Sequence, residues 1–151
     1  VKYPWITLTV AGYGSELESA NKYAKNRKIS DVKFAGYLDG KEKTQAFLSA
    51  NCYLLPSYSE GMPISVLEAM AYGLPIITRS VGGIPDFFEN GRMGFMTESL
   101  DPAVLADLIE RLILDPKLCK EISAYNREYA FKNFRASEVA KRLVNIYRSL
   151  A

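Results

Sequence analysis

The sequence predicts an α/β fold built on a doubly wound parallel sheet. Strand-like apolar stretches alternate with helix-like stretches along most of the chain, the pattern that puts helices on both faces of a parallel sheet. Glycine or proline closes the strand-like stretches at Gly12, Gly36 and Pro56, where a strand must turn into its helix. The 151 residues, 48% apolar and 24% charged, suffice for one ordinary domain with a real core. We therefore read residues 1–151 as a single domain.

Each element has its own signal. Residues 5–11 are rich in β-branched and apolar side chains and predict a strand ending at Gly12. Ser15 is placed to cap the next helix, with Leu17, Ala20 and Ala24 on its inner side. Residues 31–35 predict a second strand. Residues 41–50 predict a helix whose buried stripe is Ala46, Phe47 and Ala50. Residues 52–55 predict a third strand, stopped by Pro56. Residues 63–72 read as a helix that Gly73 terminates. Residues 75–78 predict a fourth strand, the Gly82-Gly83 turn leads to a short helix over 84–89, and residues 94–97 predict a fifth strand. Three helices close the chain, over 102–114, 116–131 and 137–150. Asp101-Pro102 and Asp115-Pro116 each offer an acidic cap followed by proline at the first helical position.

Composition narrows the chemistry. A net charge of +2 gives no footprint for nucleic acid. Arg127, Lys132, Arg135, Lys141 and Arg142 form a loose basic cluster that reads as a solvated face. The two cysteines, Cys52 and Cys119, lie far apart, and there is no histidine, so neither a zinc site nor a triad with a histidine base can be built from these residues. No apolar run approaches the about 18 residues of a membrane-spanning helix. The chain starts just before a strand-like segment without a leader pattern, and we expect a cytoplasmic piece of a longer protein.

Ligands of such sheets bind beyond the carboxyl ends of the strands. Here those ends are Gly12-Tyr13-Gly14, Gly36-Tyr37, residues 56–60 and residues 80–83. The third is the richest, within LPSYSEGMPISVLEAMAYGLP over residues 55–75. Glu60 lies in the loop before a helix and Glu68 inside it. The backbone N–H groups of Gly61, Met62, Ile64 and Ser65 crowd one helix entrance, which suits a phosphate, and Pro63 among them has none to offer. Glu60 reads either as an acid complementing the helix dipole or as a ligand contact, and the density of helix-start signals favours the second. Glu68 reads equally as an exposed helix carboxylate or as a buried one satisfied by ribose hydroxyls or an arginine. Gly12-Tyr13-Gly14 lacks the third glycine of a dinucleotide fingerprint, with Leu17 in its place, and reads as a tight turn. Gly82-Gly83 is either a turn or a point of close ligand approach. Val139, Leu143, Ile146, Tyr147 and Leu150 share one face of the last helix, which reads as ordinary packing onto a domain.

The segment PSYSEGMPISVLEAMAYGLPIITRSVGGIPDFFENGRMGFM, residues 56–96, resembles the signature of GT4-like retaining glycosyltransferases of GT-B fold. That family shows a PS-x-x-E-G loop, an E-x7-E pair, an EAMA-x-G-x-P helix end, a GG-(I/V)-P-(E/D) turn and an NG-x-x-G strand lead-in. All five occur here in order, and the resemblance covers nearly the whole chain. It implies a Rossmann-like donor lobe, the C-terminal half of a GT-B fold, binding a nucleotide-diphosphate sugar as donor substrate with no metal or other cofactor. Glu60 would approach the sugar near the reacting carbon as the catalytic residue, either as nucleophile or as electrostatic stabiliser. Gly61, Met62, Pro63, Ile64 and Ser65 would hold sugar and diphosphate, Glu68 the ribose, and Gly12, Gly36 and Tyr37 would lie near the base.

Relative to that family, the first β-α unit of the donor lobe and the acceptor-binding N-terminal lobe are expected to be missing. The missing strand would be central, so the remaining five must pair across the gap or recruit a strand, and the fragment would self-associate. The last helix would lose the lobe it crosses to. The acceptor, a saccharide or lipid-linked saccharide, would sit on the absent lobe, and the parent would touch a membrane peripherally. We expect sugar transfer by the parent and none by this chain alone. The rival readings are a silent nucleotide-sugar binding module or assembly subunit, and a sugar-nucleotide epimerase or phosphorylase of the same fold. The incomplete fingerprint puts an NAD-dependent dehydrogenase last.

Overall fold

The computed structural model describes residues 2–150. Along the chain run β1 (Leu8–Ala11), α1 (Leu17–Asn26), β2 (Val32–Gly36), α2 (Gly40–Ser49), β3 (Tyr53–Leu55), α3 (Ile64–Ala71), β4 (Ile76–Arg79), β5 (Gly94–Thr97), α4 (Pro102–Leu114), α5 (Pro116–Asn133) and α6 (Ala136–Ser149). Every strand pair is parallel, as the β-α alternation requires. The strands form two sheets, β1-β2 and β3-β4-β5. The expected five strands are thus present, but among the described residues no ladder joins the two groups. The chain divides into two compact units, Val1–Ala46 and Phe47–Ala151.

In the first unit β1 pairs with β2 from Leu8↔Val32 to Ala11↔Gly36, with a register shift at Val10/Ala11. The strand is shorter than residues 5–11: Trp5 lies in a turn closed by the Ile6 N–H donating to the Tyr3 carbonyl at 3.3 Å. Ser15 is not the cap of α1. The Leu17 N–H donates to the Gly14 carbonyl at 3.2 Å, so a tight turn delivers the chain to the helix, and Glu16 takes the N-cap place with its carboxylate accepting from the Ser19 hydroxyl at 2.8 Å and from no helix amide.

In the second unit β4 is the central strand, and Ile76, Ile77 and Thr78 are completely buried. A strand covered on both faces needs no polar alternation. Ile76 packs with Val66, Ala69 and Met70 of α3, while Ile77 packs with Leu112 of α4 and Ile122 of α5. Helices therefore cover both faces of this sheet. Gly94 is fixed by that packing: a Cβ there would lie 1.9 Å from the Ile76 carbonyl oxygen. The preceding turn is closed by the Gly91 N–H donating to the Gly94 carbonyl (2.7 Å) and the Met96 N–H donating to Asn90 Oδ1 (3.0 Å).

Helix ends follow local chemistry. Asp101 Oδ1 accepts from the Ala103 N–H and Asp115 Oδ1 from the Leu118 N–H, both at 2.9 Å. α3 ends with Gly73 at φ +77°, its N–H donating to the Met70 carbonyl and the Leu74 N–H to that of Ala69. This left-handed glycine cap satisfies two carbonyls that the helix leaves open. The helix expected over 84–89 is instead a run of turns. The Ile84 carbonyl takes both the Phe87 and Phe88 N–H groups, but the next amide, that of Glu89, donates to Met93 Sδ at 3.4 Å, so no ladder propagates from this short start. Burial pushes the Cys52 thiol up to about 12, in keeping with a packing role. α6 buries none of its residues, and Val139, Leu143, Ile146 and Tyr147 stay exposed rather than packed.

Asn126 of α5 is wholly buried and donates through Nδ2 to the Leu74 and Met93 carbonyls, both at 2.8 Å. It ties the amino ends of β4 and β5 to one helix. Asn126→Leu should lower stability by about 1–3 kcal/mol, because a buried carbonyl loses its donor. Asn133→Ala, which removes one half-buried bond within its own helix, should cost less. Urea midpoints measure both, and equal losses would contradict the tie.

Candidate active site

The site is built where β3 gives way to α3. Pro56 cannot extend the ladder, and Thr78 Oγ1 donates to the last β3 carbonyl, that of Leu55, at 3.1 Å. The loop over 56–63 then leads to α3. Pro63 is the N-cap rather than the first helical residue, because its ψ of 102° is extended. Its side chain accepts no bond, so the amides of Ile64 and Ser65 remain open at the positive end of the helix. No backbone acceptor among the described residues takes the N–H groups of Gly61, Met62, Ile64 or Ser65. Pro63 is buried beneath them, while Met62 and Ile64 present exposed apolar side chains.

What approaches Gly82-Gly83 is the loop that carries Glu60. The Gly83 N–H donates to the Gly61 carbonyl at 2.8 Å. Gly82 has φ +57°, and a Cβ on it would lie 2.2 Å from the Gly61 oxygen and 2.6 Å from the Glu60 oxygen. These backbone atoms of the Glu60-Gly61 segment leave no room for any side chain. At Gly83 the nearest obstacle is the flexible end of Met62, at 2.7 Å. The turn after β4 therefore buttresses the Glu60-Gly61 peptide.

Both glutamates are half-buried, and both act on one phenol. Burial raises the Tyr53 phenol above its ordinary range, a hydrogen bond with the Ser65 side chain opposes this, and the negative charges of Glu60 and Glu68 raise it further. The Tyr53 hydroxyl thus stays protonated at neutral pH and lies in the field of both carboxylates. Ser65 and Glu68, three positions apart, share one face of α3. The structure brings together Glu60, residues 61–65 and Glu68, and adds Tyr53. Nothing in the sequence around Tyr53 separates it from any other strand aromatic.

Gly12, Gly36 and Tyr37 belong to the first unit. The Gly12 N–H donates to the Gly36 carbonyl at 2.7 Å, and the Tyr13 and Tyr37 rings meet edge-on at 6.0 Å. No side chain would meet an obstacle within 4 Å at Gly12 or Gly36, so their positive φ of 134° and 69° is what calls for glycine. A depression of about 460 Å³ lies at the other end of the second sheet, beside Asn51, Gly73, Lys120, Ser123 and Arg127. It includes none of the residues singled out in the sequence as a site.

Gly82→Ala must push the Glu60-Gly61 peptide aside. We expect it to cost at least about 1 kcal/mol more than Gly91→Ala, where only the left-handed backbone is strained. Urea unfolding of the two variants checks this. Equal midpoints would show that the contact does not constrain the loop.

Residues 2–129 match the family described as Glycosyl transferases group 1. The chain is 29% identical over 146 residues to a glycogen synthase of Mycobacterium tuberculosis, covering 96% of this chain and 35% of that protein. It is 32% identical over 141 residues to the N-acetyl-alpha-D-glucosaminyl L-malate synthase of Bacillus anthracis, covering 93% and 36%. It spans about a third of the length of these curated relatives. Among solved structures it is similar to sucrose-phosphate synthase from Thermosynechococcus elongatus, with a TM-score of 0.85 at 24% identity over 99% of this chain and 39% of that one. Anabaena HepE in complex with UDP-glucose gives a TM-score of 0.85 at 21% identity, over 97% and 42%. These two structures share the GT-B type of fold with the chain, and the family match settles its kinship: the chain belongs to the group 1 glycosyltransferases.

Proposed function

We propose that this chain is a donor lobe, binding a nucleotide-diphosphate sugar, and that a longer enzyme containing it transfers the sugar with retention of configuration. The observation that carries this reading is the open amide cluster at the start of α3 beside the buttressed Glu60 peptide. Hydrogen-bond donors and the positive end of a helix dipole offset the charge that grows on a departing diphosphate. In this reading they take the part that a metal ion plays elsewhere, and no further cofactor is needed.

Glu60 faces the sugar, where its carboxylate opposes the positive charge of an oxocarbenium-like transition state. The bond from the reacting carbon to the diphosphate oxygen breaks, and a bond to the acceptor oxygen forms on the same face. The acceptor hydroxyl gives its proton to the departing diphosphate oxygen, and the nucleoside diphosphate leaves. Glu68, about one helical turn from the dipole end, takes the ribose hydroxyls. Within the first unit, taken by itself, Gly12, Gly36 and Tyr37 are the candidates for contact with a base. HepE with UDP-glucose and the pneumococcal transferase GtfA with UDP and GlcNAc make uridine diphosphate the first nucleotide to try.

The acceptor, a saccharide or lipid-linked saccharide, binds outside these residues, in a cytoplasmic enzyme that touches a membrane peripherally. Among the described residues no helix is long and apolar enough to cross one. Unpaired strand edges of the two sheets are the surfaces through which the isolated chain would self-associate.

Calorimetric titration with UDP-, GDP- and ADP-sugars tests the donor assignment. One of them should bind, and Glu68→Ala should weaken it by about 1–3 kcal/mol, the worth of hydrogen bonds to a charged group. A variant that melts lower but binds equally well would make Glu68 a structural residue only. In a full-length enzyme, Glu60→Ala should abolish turnover with little change in nucleotide affinity. The isolated chain should show no sugar transfer; transfer above background would refute the need for a second lobe.

A further inference from the structure

We infer that Arg79 is the positioning residue of the Glu60 loop: its guanidinium clamps the carboxyl ends of all three strands of the second sheet. Arg79 is the last residue of β4, the central strand. Its Nη1 donates to the Ser57 carbonyl, two residues beyond β3, at 3.3 Å. Its Nη2 donates to the Glu98 carbonyl, one residue beyond β5, also at 3.3 Å. One side chain thus reaches from the middle strand to the segments leaving both neighbours. The guanidinium carbon also lies 5.4 Å from the centre of the Tyr58 ring, in the same loop.

Arginine suits this place for a geometric reason. Its planar fork directs donors to two separate acceptors at once, whereas a lysine ammonium is a single point charge. Backbone carbonyls receive it, so the clamp acts on the course of the chain. The side chain is half-buried, which favours its bonds over those water would make. The loop is consequently held at two points, Ser57 by Arg79 and Gly61 by Gly83, and Glu60 stands between them. Neither anchor touches Glu60 through its side chain, so the carboxylate is placed without being consumed. The consequence for turnover rests on the reading above, that Glu60 faces the donor sugar; the clamp itself does not.

Backbone ¹⁵N relaxation on this chain tests the clamp. Arg79→Met keeps the length of the side chain and removes both donors. Order parameters of Tyr58, Ser59, Glu60 and Gly61 should fall from about 0.85 to below about 0.6, while those of Ile77 and Phe95 stay rigid. Arg79→Lys, the milder variant should methionine prevent folding, should also leave the loop mobile. A rigid loop in either variant, or an equal loss of order at Ile77 and Phe95, would overturn the proposal. In a full-length enzyme Arg79→Met should lower kcat about ten-fold or more and leave the donor KM within about two-fold. A raised KM at unchanged kcat overturns the positioning role. A mobile loop in a protein whose wild type binds no nucleotide-sugar supports the clamp and refutes the donor reading instead.

Discussion

The contact on which the second unit's candidate site depends is made by backbone alone. Gly82 sits against the carbonyl oxygens of Glu60 and Gly61 at a distance no side chain tolerates, and Gly83 donates to the Gly61 carbonyl. Two loops leaving neighbouring parallel strands are thereby locked together at the carboxyl edge of the sheet. A parallel sheet delivers successive loops to that edge side by side, and it is there that ligands are met. The Gly82-Gly83 pair is thus explained by the loop it supports, with no need of a ligand pressed against it.

The same sheet is tied at both ends by polar side chains reaching across strands. At the amino end, buried Asn126 donates to carbonyls before β4 and β5. At the carboxyl end, Arg79 donates to carbonyls beyond β3 and β5. Between them Ile76 and Ile77 are buried against helices on opposite faces. The apolar centre supplies most of the cohesion, and the two polar ties fix the geometry of the ends. An active site needs such an arrangement, because small displacements of a reacting group are costly while the core tolerates some adjustment.

Much of this was legible in the sequence where the cause is local. Asp101-Pro102 and Asp115-Pro116 marked helix starts because cap and helix lie within a few residues. Gly73 marked a helix end because only glycine takes its backbone conformation cheaply. The loop from Glu60 to Ser65 stood out through its density of helix-start chemistry. What escaped the sequence acts over long separations. Asn126 answers carbonyls of Leu74 and Met93, Arg79 answers Ser57 and Glu98, and Tyr53 feels Glu60 and Glu68 only once the chain has folded. Two local readings failed for local reasons. Ser15 lost its capping place to a turn closed by Gly14, and residues 84–89 form no helix because the Glu89 amide turns to the Met93 sulfur.

We propose the open amides at the start of α3 as the phosphate-binding element of a donor site. Titrating ¹⁵N-labelled chain with uridine diphosphate, and with the guanosine and adenosine diphosphates in parallel, tests it most directly. One nucleotide should shift the amide resonances of Gly61, Met62, Ile64 and Ser65 together and saturably. Shifts confined to the depression beside Asn51, Lys120 and Arg127, or no saturable shift with any of the three, would contradict it.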